Sequence, residues 1–136
     1  MSRNSPRRRR TAFTLIEVML VLLILVVLGS VSFVAYQSVQ KRSMIQAATV
    51  QVHSIEAAVK MYYVNHNRYP PNLEALYDRN ADPNNTNWKS TLDKPLKEDP
   101  WGQPYQYQQP GTHLPDKFDV WSQGIDNDEA SYIGNW

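Results

Sequence analysis

The stretch FTLIEVMLVLLILVVLGSVSFVAY, residues 13–36, is apolar except for hydroxyl residues, one glycine and one carboxylate, Glu17. As a helix it is about 36 Å long at ~1.5 Å per residue, enough to cross a bilayer core of about 30 Å. Arg7, Arg8, Arg9 and Arg10 stand just before it, and residues 1–12 contain no acid. Under the positive-inside rule these arginines keep the N-terminus cytoplasmic and place the C-terminal body on the far side of the membrane. The difficulty is Glu17. A carboxylate at the centre of a membrane helix costs on the order of 3 kcal/mol, less near an end, and such groups are paired as a rule.

Three readings fit the basic leader and the apolar run. A secretory signal peptide has a shorter apolar region, about 7–15 residues, ending at a small-residue cleavage site. A plain signal anchor has no use for Glu17. A third kind of leader is cut before the apolar segment, so that residues 1–12 are removed and the span stays on the mature chain.

Composition narrows the remainder. The chain has 136 residues and no cysteine, which excludes disulfides and Cys-ligated metals. Five of its 14 basic residues lie in the leader. From Phe13 onward nine basic residues face thirteen acidic ones, a net charge of −4. A nucleic-acid partner needs clustered Lys and Arg, and this body has none.

Downstream, Ile45, Ala48, Val52, Ile55, Val59 and Tyr62 recur at steps of three and four, an apolar stripe on one helical face. No proline or glycine interrupts residues 31–69. The pattern predicts one helix from about Phe13 to Asn65, roughly 80 Å long. Gly29 and Ser30 are its weak point, and Pro70-Pro71 forbids continuation. Residues 69–77 predict a short helix capped by Asn72 with Leu73 and Leu76 inward. Residues 78–93, rich in Asn and Asp, read as an exposed loop. Tyr105 and Tyr107 alternate with glutamines as a strand does, and FDVWS at 118–122 reads as a second. The expected fold is α+β, a long N-terminal helix packed on a small antiparallel sheet. Its expected divisions are a leader at 1–12, a membrane and assembly helix at 13–36, and a head at 37–136.

The residues RRRRTAFTLIEV, 7–18, resemble the type IV prepilin signal: basic residues, a small residue, then F-T-L-I-E opening a span. Ala12 stands where that superfamily usually has glycine. The resemblance implies cleavage between Ala12 and Phe13 by a prepilin peptidase and N-methylation of Phe13. It gives Glu17 a role. Cleavage creates a cation on Phe13, and Glu17 of one subunit can face that amine on its neighbour in a staggered helical assembly. Both charges are then satisfied only on assembly, and the pair sets register. The plain alternative leaves Glu17 at headgroup level with no partner.

Further blocks sharpen the resemblance. RYPP at 68–71, DPWGQPY at 99–105, FDVWSQGID at 118–126 and IGNW at 133–136 are similar to the major pseudopilins of type II secretion systems. That family implies a homopolymer in the periplasm, anchored in the inner membrane, that moves folded proteins through the outer membrane. Its implied partners are minor pseudopilins and an inner-membrane assembly platform. It also implies calcium in the C-terminal loop, held by an S-x-G-x-D block and by paired aspartates before I-x-N-W. Ser122 and Asp126 match the first block. Ser131 and Tyr132 stand at the second, with Asp128 and Glu129 as nearby substitutes. A solvated acidic turn closed by its own Asx hydrogen bonds is the other reading.

Other residues carry less. His53, His66 and His113 lack metal-ligand spacing, and Trp88, Trp101, Trp121 and Trp136 read as core and rim packing rather than a carbohydrate platform. No catalytic motif is present, so an enzyme is not expected. Two rivals remain: a type IV or competence pilin binding DNA or surfaces, which the acidic body disfavours, and a membrane-anchored periplasmic enzyme or binding protein, which requires a pocket.

Overall fold

Helix α1 runs from Leu15 to His66, close to its expected bounds. It starts where the Thr14 hydroxyl accepts from the Glu17 backbone N–H at 3.3 Å, an N-cap that satisfies an orphan donor. It stops at Asn67, whose φ of 55° is left-handed and whose N–H returns to the Tyr63 carbonyl at 2.7 Å. Asparagine tolerates that conformation, and Pro70 follows. This computed structural model describes residues 13–126 and 128–136, with the side chains of all but 31–35. The expected leader, 1–12, lies outside the described residues.

The chain divides into two units between Val39 and Gln40, and α1 contributes to both. In the first unit the apolar side chains from Leu15 to Leu28 are exposed. Among the described residues no helix is long and apolar enough to cross a membrane. The span expected over 13–36 includes positions 31–35, whose side chains are outside the described set.

The second unit holds the core. Ala48, Val52, Ile55, Val59 and Tyr62 of α1 are buried, and all but Ala48 join one cluster with Leu73, Leu76, Tyr105, Phe118 and Val120. Ile45 departs from expectation: it is 39% exposed and lines an open cleft with Trp101 and Ile125. The cluster reaches along the stripe only to Val52, so the first residue of the predicted stripe is a rim position.

Strands β1 (Gln106–Gln108), β2 (Asp119–Ser122) and β3 (Ile133–Gly134) form an antiparallel sheet in that order. Tyr107 pairs with Val120, and Ser122 with Ile133. The central strand is covered on both faces, since Asp119, Val120 and Ser122 are all buried. The predicted short helix is a single 3-10 turn, Glu74–Leu76. Its N-cap position is Leu73 rather than the expected Asn72, though the Asn72 side chain accepts from Ala75 N–H at 3.0 Å; Leu73 and Leu76 are buried.

The loop at 78–93 is not wholly exposed as expected, because Asp82 and Asn85 are buried. Arg68 and the Tyr62 hydroxyl both donate to the Asp82 carboxylate, and the Asn85 amide donates to the Tyr62 oxygen at 3.1 Å. A buried carboxylate is tolerated only when its acceptors are filled in this way.

Candidate assembly site and the C-terminal loop

Of the predicted processing residues, Ala12 lies outside the described residues. Phe13 is 82% exposed. Glu17 lies in the first turn of α1, where a carboxylate meets the positive end of the helix dipole. Phe13, Glu17, Val18 and Val21 flank a shallow hollow. Among the described residues no ion pair reaches Glu17. The spacing Thr14-x-x-Glu17 also fits a capping box, a signal the sequence carries alongside the pilin motif.

The four residues expected to hold calcium are not gathered into one cage. Ser122 is buried, and its hydroxyl donates to Asp99 at 2.5 Å and accepts from Gly124 N–H at 3.1 Å. Asp128 caps the 3-10 turn Glu129–Ser131 through Ala130 N–H at 3.4 Å. Asp126 and Glu129 are exposed. Among the described residues no group of three or more His, Asp or Glu is placed to hold a metal ion. Calcium takes about 6–8 oxygen ligands, more than these described side chains bring together.

Residues that sequence reading passed over carry the polar structure of the head. Asp119 accepts from the backbone N–H groups of His113 and Leu114 at 2.8 and 3.1 Å, and His113 Nδ1 lies 3.2 Å away. Burial works against its charge, yet these hydrogen bonds outweigh it and hold the carboxyl below its ordinary range. The His113 ring stacks on Trp136 with centroids 3.8 Å apart. His66 Nδ1 bonds the Tyr62 carbonyl at 2.9 Å, and its Nε2 accepts from Lys89 N–H at 3.1 Å. Trp88 Nε1 donates to the Ala75 carbonyl at 2.8 Å. His66, His113, Trp88 and Trp136 therefore tie loops to the core. Among the described residues, clefts on the head hold about 90, 180 and 280 Å³, against the ~300–1,000 Å³ of small-molecule sites.

Comparison with known proteins agrees with this architecture. The family model described as type II secretion system (T2SS), protein G matches residues 35–135. The prokaryotic N-terminal methylation motif matches residues 7–33. The type II secretion system core protein G of Pseudomonas aeruginosa is 38% identical, over 96% of this chain and 97% of that one. The protein of the same name from Aeromonas hydrophila is 35% identical, over 96% and 94%. The crystal structure of the major pseudopilin from the type 2 secretion system of enterohaemorrhagic Escherichia coli superposes with a TM-score of 0.59 at 28% identity. It covers 74% of this chain and 92% of that one. With the long helix, the small antiparallel sheet and the methylation motif in one chain, the protein belongs to the type II secretion system protein G family.

Proposed function

We propose that this chain is the major structural subunit of a type II secretion pseudopilus. It is made as a precursor in the inner membrane with its N-terminus cytoplasmic and its head periplasmic. A prepilin peptidase cuts between Ala12 and Phe13, and the new Phe13 amine is methylated. The span over residues 13–36 holds the subunit in the membrane until it joins the fibre. The polymer grows into the periplasm from an inner-membrane assembly platform, together with minor pseudopilins, and drives folded proteins across the outer membrane. This role is structural, and family membership supports it over a pilus that binds DNA or surfaces.

The observation that carries the reading is the start of α1. A run of exposed apolar side chains begins beside an acid with no described cation, four residues after Phe13. Apolar surface of that extent is covered in use, by lipid or by sister helices. Glu17 then meets the Phe13 amine of an adjacent copy.

Two variants test it. Glu17→Val removes the charge, and Glu17→Gln removes the charge while keeping a residue type that completes a capping box. Both are expected to be cut and methylated normally, shown by N-terminal sequencing and mass, and to form no fibres on overexpression. Normal fibre yield from either variant would overturn the pairing. A mature protein beginning at Met1 would overturn the whole reading.

A further inference from the structure

We infer that the C-terminal loop of this chain, as described over residues 123–126 and 128–132, is held closed without a metal by a latch between Asp99 and Ser122. The Asp99 carboxylate is 5% exposed. Its Oδ1 accepts from the backbone N–H groups of Trp101 and Gln103 at 3.0 and 2.8 Å. Its Oδ2 accepts from the Ser122 hydroxyl at 2.5 Å. That hydroxyl in turn accepts from Gly124 N–H at 3.1 Å. One buried acid thus joins the turn at 99–103, the end of β2 and the first turn of the loop. Tyr105 senses the same charge: burial first, and then Asp99, push its phenol up to about 12.

The far side of the loop is closed from within as well. Gly124 has a φ of +67°, and a Cβ there would come 3.1 Å from the Ser131 carbonyl. The close approach therefore needs glycine. The Ser131 hydroxyl and N–H both donate to the Asp128 carbonyl at 2.8 Å. The Tyr132 ring stacks over Trp121 with centroids 6.2 Å apart. Ser131 and Tyr132 stand where the resemblance would put an acidic pair to ligate a cation. Here one is a hydroxyl spent on its own turn and the other an aromatic packed on the sheet. The loop is instead anchored by Asp99, whose carboxylate accepts from Trp101 N–H, Gln103 N–H and the Ser122 hydroxyl.

The inference concerns the loop and leaves the assembly reading intact if it fails. Full-length protein in detergent is melted while following tryptophan emission, once in calcium chloride and once in EGTA. The expected midpoints are the same. A midpoint lower in EGTA by about 5 °C or more, restored by calcium, would overturn the latch. Ser122→Ala and Asp99→Asn are each expected to lower the midpoint by about 5–10 °C, since each breaks a buried charge-assisted bond. Calcium should not restore either. An unchanged Ser122→Ala midpoint, or recovery with calcium, would also overturn it.

Discussion

Arg68 Nη2 reaches both oxygens of the Asp82 carboxylate, at 2.8 and 2.6 Å, although Asp82 is only 3% exposed and lies fourteen residues further along the chain. The guanidinium follows the end of α1, and the carboxylate belongs to the residue that ends a second 3-10 turn, Arg79–Ala81. Together with Tyr62 they pin an irregular segment onto the helix. Removing one partner of a buried pair leaves the other uncompensated, which costs about 3–5 kcal/mol in dry sites. The Arg68 side chain is 45% exposed, so solvent screening lowers that figure. Arg68→Ala is expected to destabilise by about 2 kcal/mol, and Tyr62→Phe by about 1 kcal/mol for its hydrogen bond. Urea denaturation followed by tryptophan fluorescence checks the order, and a larger effect for Tyr62→Phe would contradict it.

Phe118 and Ile45 test where the core ends. Phe118 is fully buried against Tyr69 and Tyr107, with centroids at 5.2 and 6.0 Å. Phe118→Ala opens a cavity and is expected to cost about 3–5 kcal/mol. Ile45→Ala, at the rim, is expected to cost under about 1 kcal/mol. Equal costs in the same urea experiment would mean that the apolar stripe is covered further toward the N-terminus.

Asp119 sets the acid limit of the head. Its folded pKa lies below the ordinary carboxyl value, so its contribution to stability is present above the unfolded pKa of about 3.9. That contribution is lost as pH falls through the lower folded value. Asp119→Asn is expected to lower stability at neutral pH and to flatten the decline on acidification. An acid limb as steep as in the unaltered protein would assign the limb to another carboxylate.

How much of this was legible beforehand varied by element. The long helix was, because its apolar stripe runs unbroken until Pro70-Pro71 forbids continuation; the Thr14 cap at its start was not read from the sequence. Tyr105, Tyr107 and FDVWS announced the strands through their alternation. The Asp82 and Asp99 anchors were not legible. An Asp in an Asn-rich loop and an Asp before proline look like solvated turns until the chain brings Arg68 or Ser122 to them. Nor was the partner of Ser122 legible: a hydroxyl in a motif says nothing about which neighbour its proton reaches, here Asp99.

Local chemistry in the sequence alone determined the long helix, its greasy start with a single acid, the absence of cross-links and the small sheet. Those features depend on periodicity, capping and residue type, which act over a few positions. Tertiary structure alone decided which carboxylates are buried, which side of Ile45 the core lies on, and how the final loop is tied down. The Asp82 and Asp99 contacts join residues fourteen and twenty-three positions apart, and a hydrogen bond or a packed ring exists only once the fold has set that distance.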